Sequence, residues 1–545
     1  MRGRRVVAGV AVTAVLLGGA GAAWFTLGRP GLTKTPDVVA EPVTVANRSP
    51  QSAPTQEVPR LAWGPSVVDV ARAEAAASHL PLEVAAGQVI VAHWNSPDAG
   101  GAAALVRDSH VAGVILMGGA VVDAHQVRQV TAAVSEAAVA DGRDWPAVVS
   151  TDQEGGTVAR LDGLLPGMPA FMAAGATTDK DSVTQAYTAV ARDMVDLGFT
   201  VNWAPVADVT VGLDDPVIRV RSAGSDPQNV ADTVIAAVNG YLSGGVAPAI
   251  KHFPGHGSVT TDSHEALPIQ SASVADLAER DLVPFAQAID AGAPMVMMAH
   301  VSVGEWGDGP VTTSPQAYAY LREELGFTGV AVTDALNMAA ISDRYDAGAS
   351  EVAALAAGAD LLLLPRDVEA ARQAIVAAVG NGTLPRARLD EAIARVSLLM
   401  TQQSEWAADA SGVPADTDYA RHFAATSATV VAPQCGARLV GDSVSIYGGW
   451  PGERQALADA LAGYGVTEGA GTAIRILGSP SRGGAADIVV AMDGPWGLPV
   501  SQAPVYVGLH GRSQETLAGL ADVLVGEVQP QGRWPVGGMP GTPCA

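Results

Sequence analysis

The stretch KHFPGHGSVTTDSH, Lys251–His264, gathers three histidines, a lysine and an aspartate into fourteen residues of a chain that has ten histidines and only three lysines, Lys34, Lys180 and Lys251. An imidazole titrates near about 6.5 and can give and take a proton at neutral pH. Asp262 and His264 stand two residues apart in an extended or turned segment. That spacing lets the carboxylate accept one ring N–H and turn the other nitrogen outward. The same spacing also fits a loop in which Asp262 caps its own turn and His264 faces water. Pro254, Gly255 and Gly257 exclude a helix through KHFPGHG, so His252 and His256 cannot share a helix face as His-x-x-x-His metal ligands do. No cysteine lies near to join them, and no metal is expected.

Length and charge bound the rest. A chain of 545 residues exceeds what one hydrophobic core organises, so two or more domains are expected. With 48% hydrophobic and 16% charged residues it reads as globular. A net charge of −24 opposes binding to nucleic acid or to anionic lipid through charge. MRGRR is followed by 23 uncharged residues, Val6 to Gly28, and then Arg29. Residues 1–29 therefore read as a signal peptide or a membrane anchor, and an exported protein of the extracellular space or cell envelope is expected. Residues 30–59, rich in Pro, Thr, Ser and Val, read as a disordered linker. The two cysteines, Cys435 and Cys544, can pair in an oxidising compartment or stay as free thiols.

Elements that could position the chemistry follow from 60 onward. Eight apolar runs, beginning with Val89 to Ala92 and ending with Leu361 to Leu364, alternate with Ala-rich helical segments such as Ala124 to Asp141, Val274 to Ala291 and Ser314 to Leu325. Runs apolar on both faces suit a parallel sheet covered by helices, and eight such units make a (β/α)8 TIM-type barrel over 60–403. An open doubly wound sheet is the alternative. Polar residues stand at the ends of the runs: Asp152, Asn202 with Asp208, Lys251 with His252, His300 and Asp334. In a barrel these ends form one mouth. After a helix ending near Gln402 and a connector (404–424), five more runs predict a smaller α/β domain with a mostly parallel sheet over 425–545.

KHFPGHGSVTTDSH resembles the signature of the glycoside hydrolase family 3 β-N-acetylhexosaminidases of the NagZ type, in which an Asp-x-His pair replaces the usual carboxylic acid. STDQEGGTVARLDG from Ser150, NWAPVADV from Asn202 running on to PVIRVRSAGSDP, and GVAVTDALNM from Gly329 are similar to further motifs of that family, in the same order. The resemblance spans about 65–400. It implies that Asp334 is the nucleophile, that His264 with Asp262 is the acid/base, and that Asp152, Arg160, Arg221, Lys251 and His252 hold an N-acetylglucosamine ring. It also implies a mobile catalytic loop. The family commonly has an aromatic where RVRSAG has Ala223, and at that departure Arg221 remains a better match to the family's arginine than Arg219.

The implied activity is retaining hydrolysis of terminal N-acetyl-β-D-glucosaminides without a cofactor, on peptidoglycan fragments or other N-acetylglucosamine-containing saccharides, by a monomer. Two alternatives stand beside it. One is a β-N-acetylglucosaminide phosphorylase, since an imidazole acid/base does not repel phosphate. The other is a non-catalytic cell-wall sugar-binding protein.

Overall fold

Short runs of Val, Ile, Ala and Leu form eight parallel strands: β1 (Ile90–Trp94), β2 (Gly113–Leu116), β3 (Val148–Thr151), β4 (Val201–Asn202), β5 (Ile250–Phe253), β6 (Met295–Met298), β7 (Val330–Thr333) and β8 (Leu362–Leu363). The computed structural model describes residues 58–411 and 417–544. Strands β8, β1, β2, β3 and β4 lie side by side with the two-residue strand Ala247–Pro248, which precedes β5, and β7, β6 and β5 form a second ladder. The parallel pairs Val206–Lys251 and Val332–Leu361 join the two ladders at both edges. The sheet thus closes into the expected barrel. Its strands are buried almost throughout, as a barrel sheathed by helices demands.

The surrounding helices start where the sequence supplies a cap. Asp123 accepts from Gln126 N before Ala124–Ala140, and Asp226 accepts from Asn229 N before Pro227–Gly244, which ends at a left-handed Gly245.

Three expectations need correction. The helix expected over 274–291 is broken into Val274–Glu279 and Val283–Asp290, with Arg280 at φ −135° and ψ −75°. The ring of Pro284 would collide with the carbonyl four residues earlier, that of Arg280, so the chain cannot continue helically there. The segment expected as one helix over 314–325 is α-helical only at Pro315–Ala319 and then widens into a π turn at Tyr320–Glu324. The final barrel helix, Arg386–Ala410, runs past Gln402 into the segment read as a connector. It does so because Gln403 donates to Gly245 O and Trp406 packs on the barrel core.

The expected leader lies outside the described residues, as does the linker apart from Val58 and Pro59; Pro59 O accepts from Val67 N, so the chain is already packed there. Among the described residues no helix is long and apolar enough to cross a membrane.

Beyond helix Tyr419–Ser427 come β9 (Thr429–Val431), β10 (Ser443–Gly448), β11 (Thr467–Glu468), β12 (Thr472–Leu477), β13 (Ile488–Ala491) and β14 (Val505–Gly508). Their order is β9-β14-β13-β12-β10-β11, with only β9–β14 antiparallel. This sheet has its own core, including Val430, Ile446, Leu457, Ile474, Val490 and Leu520. A disulfide joins Cys435 to Cys544 across 109 residues.

Candidate active site

A cavity of about 500 Å³ opens at the strand ends of the barrel, and Asp152, Arg160, Arg221, Lys251, His252, His264 and Asp334 all stand on its wall. Asp262 does not line it but is bonded to His264. Residues from four loops and strands separated by as much as the span from 152 to 334 are thus assembled by barrel closure.

Asp334 follows β7, and its backbone N–H donates to Met298 O of neighbouring β6 at 2.9 Å. Its Oδ1 accepts from Ala335 N at 2.7 Å. Burial pushes this carboxyl up, but the imidazoles of His300 and His252, the Ala335 N–H and the Lys251 ammonium more than offset it and hold it at about 2. It is a carboxylate across the neutral range. His300 is itself fully buried, with Nδ1 2.7 Å from Thr312 Oγ1 and Nε2 2.9 Å from Ala335 O, so it fixes the turn that carries Asp334.

Lys251 answers to two acids. Its Nζ lies 3.1 Å from Asp152 Oδ1 and 2.6 Å from Glu154 Oε1. Burial pushes the ammonium down, but the carboxylates of Glu154 and Asp152 outweigh that and raise it. Glu154 also takes a two-pronged contact from Arg221, Nε to Oε2 at 2.9 Å and Nη2 to Oε1 at 2.8 Å. Burial pushes Glu154 up, yet the charges of Arg221 and Lys251 hold it far below the usual carboxylate range. The Arg219 guanidinium instead turns to Asp215 O at 2.7 Å. Of the two arginines of RVRSAG, Arg221 lines the cavity and Arg219 does not.

The loop from Lys251 to His264 hangs from Asp208. Its Oδ1 accepts from the backbone N–H groups of His252 and His256, and its Oδ2 lies 2.7 Å from His252 Nδ1. His256 Nε2 lies 3.1 Å from Ser263 Oγ, and Ser258 donates to Asp281. Val259 is buried against Ala299 and Val301. Gly255 and Gly257 permit this close docking: a Cβ at 255 would stand 2.7 Å from Asp281 Cβ, and one at 257 would stand 2.5 Å from Val209 O. So anchored, the loop carries Asp262 and His264 back to the mouth. His264 Nδ1 lies 2.8 Å from Asp262 Oδ1, and its side chain is 63% exposed. Burial pushes Asp262 up, but hydrogen bonds from the His264 backbone and ring bring it below its ordinary value.

Each imidazole of the stretch thus has a partner other than a metal: Asp208, Ser263 or Asp262. Among the described residues no group of three or more His, Cys, Asp or Glu side chains is placed to hold a metal ion.

Sequence reasoning missed Glu154, Ser263 and the roles of Asp208 and His256 as anchors. Glu154 had one readable signal: it precedes Gly155-Gly156, whose φ values of +98° and +58° make the tight hairpin Gln153–Gly155 to Val158–Ala159.

The family model described as "Glycosyl hydrolase family 3 N terminal domain" matches residues 82–399. Beta-hexosaminidase A of Pseudoalteromonas piscicida is 34% identical over 55% of this chain and 54% of its own length, so the match spans about half of that relative. Beta-hexosaminidase LpqI of Mycobacterium tuberculosis is 36% identical over 55% of this chain and 79% of its own. Among solved structures, a family 3 β-N-acetylglucosaminidase from Paenibacillus sp. FPU-7 superposes with a TM-score of 0.72 at 27% identity, over 84% of this chain and 99% of that one. By its sequence over the barrel and by its architecture, the chain belongs to glycosyl hydrolase family 3.

Proposed function

We propose that this protein hydrolyses terminal N-acetyl-β-D-glucosaminides with retention of configuration, through a covalent glycosyl-enzyme. The observation that carries this reading is a single cavity that collects an ionised, half-buried Asp334, a solvent-facing His264 backed by Asp262, and the polar groups Asp152, Arg160, Arg221, Lys251 and His252. Its relatives bear the names β-hexosaminidase and β-N-acetylglucosaminidase.

Asp334 attacks the anomeric carbon as His264 Nε2 gives its proton to the departing glycosidic oxygen. The same nitrogen then takes a proton from water, whose oxygen displaces Asp334 and releases the sugar. Asp262, holding Nδ1, keeps the ring turned and stabilises the imidazolium. Lys251, Asp152, Arg160 and Arg221 hold the sugar hydroxyls and acetamido group. The leader supports export, and with it N-acetylglucosamine-containing wall saccharides as the substrate. Incubation with an aryl N-acetyl-β-glucosaminide and with defined muropeptides, with and without phosphate, tests this. Free N-acetylglucosamine is expected; a sugar 1-phosphate would make the protein a phosphorylase, and binding without turnover would make it a sugar-binding protein.

A further inference from the structure

The sugar-binding groups of the barrel do not stand on barrel packing alone. Glu154 and Arg160 belong to the hairpin around Gly155-Gly156, and that hairpin lies directly on residues 168–170. Gly156 N donates to Met168 O at 3.0 Å, and a Cβ at Gly155 would sit 2.5 Å from Pro169 O. Residues 167–170 in turn rest on the second domain, where Ala170 N donates to His510 O at 2.7 Å and Ser513 Oγ donates to Gly167 O at 2.6 Å. The loop that follows Arg221 is held the same way. Ser225 N donates to Pro535 O at 3.1 Å, and a Cβ at Gly224 would stand 2.3 Å from that carbonyl. Between the two supports, Arg533 N donates to Ala176 O at 2.7 Å.

Only one β-ribbon separates the sugar cavity from the domain boundary. Val158 and Arg160 face the sugar cavity, while Thr157 and Ala159 line a second cavity of about 270 Å³ whose far wall is Asp493, His510 and Arg512. This is the alternation that an extended chain imposes. A shift of the second domain therefore passes through a single layer of chain to Glu154 and, through it, to both Arg221 and Lys251.

We propose that the C-terminal domain is a positioning element of the sugar site: its segments 510–513 and 532–535 set, through residues 167–177 and 222–225 of the barrel, where Glu154, Arg160 and Arg221 stand. This rests on the hydrolase reading for its substrate but not for its logic. A site that binds ground state and transition state alike loses affinity rather than turnover when such groups drift.

The test uses the full chain with two kinds of change at the boundary. In Gly167→Ala the new methyl would lie 2.4 Å from Ser513 Cβ and wedge the contact apart. Ser513→Asp keeps an acceptor for Thr516 N, the cap of helix Gln514–Val525, but cannot donate to Gly167 O. Ser513→Thr keeps both. Gly167→Ala and Ser513→Asp are expected to raise KM for an aryl N-acetyl-β-glucosaminide on the order of tenfold, with kcat changed less than about twofold and Ser513→Thr behaving as wild type. Calorimetric affinity for N-acetylglucosamine on the same proteins should fall in parallel, and it reads the brace even if wild type turns nothing over, the outcome that would defeat the hydrolase reading alone. A lowered Tm with unchanged KM and affinity in Ser513→Asp would overturn the inference, and that pair decides it if Gly167→Ala fails to fold.

Discussion

One carboxylate oxygen, Asp262 Oδ1, accepts both the backbone N–H and the ring Nδ1 of His264, each at 2.8 Å. The sequence had left two readings of this pair open, a turn cap and an oriented acid/base. The structure contains the cap and the oriented ring at once, because the turn that brings the backbone N–H to the carboxylate also brings the ring. Removing the carboxylate should therefore free the imidazole without disturbing the anchored part of the loop. Asp262→Ala is expected to lower kcat by roughly 10²- to 10⁴-fold with little change in Tm. Steady-state kinetics and a thermal melt check it; a kcat within about twofold of wild type would remove Asp262 from the mechanism.

Glu154 compensates two cations at once, the half-buried Arg221 and the buried Lys251. Removing it leaves the Arg221 guanidinium without its carboxylate, while Lys251 keeps Asp152, and breaking such a pair costs on the order of 3–5 kcal/mol. Glu154→Gln should lower the unfolding free energy by about that amount and raise KM. Denaturant unfolding read beside KM checks both. A double-mutant cycle with Arg221→Ala should be strongly non-additive, since the two side chains share one contact.

Three buried histidines, His256, His300 and His510, are lowered by burial and should make the stability acid-sensitive. His256 and His510 are each lowered to about 4, chiefly by burial. The unfolded chain takes up these protons first, near about 6.5, so stability present above that pH is lost as pH falls toward 4. His510→Asn should flatten the fall, since His510 has φ +57° and asparagine tolerates that backbone. Unfolding midpoints between pH 7 and pH 4 (~three units, spanning the window) measure it, and an unchanged slope would contradict the assignment.

The Cys435–Cys544 bond closes nearly the whole second domain. The chain-entropy model gives such a loop about 4–5 kcal/mol. Reduction, or Cys435→Ser with Cys544→Ser, should lower the midpoint of the second domain's unfolding, followed by calorimetry; an unshifted midpoint would show that the bond restrains little in the unfolded chain.

The barrel was legible because its strands are buried on both faces and so read as unbroken apolar runs. The mouth was legible because Asp152, Lys251, His252 and Asp334 stand at or just beyond those runs. What escaped was set by contacts distant in sequence. Glu154 looks like an ordinary acid beside two glycines until barrel closure brings Arg221 and Lys251 to it. The helix break at Arg280 is written locally in Pro284, but its use is visible only in the fold, where Asp281 sits against the loop of Lys251–His264 and accepts from Ser258. Asp208 reads as a strand-end acid, and nothing in its neighbourhood says that its oxygens hold two histidines more than forty residues on.

In the proposed reaction Asp334 forms the bond to the sugar. A 5-fluoro N-acetylglucosaminyl fluoride, which slows release of the covalent intermediate, should leave a single sugar adduct on the peptide containing GVAVTDALNM, located at Asp334 by mass spectrometry and absent from Asp334→Ala. An adduct on another residue, or turnover by Asp334→Ala at the wild-type rate, would contradict the account.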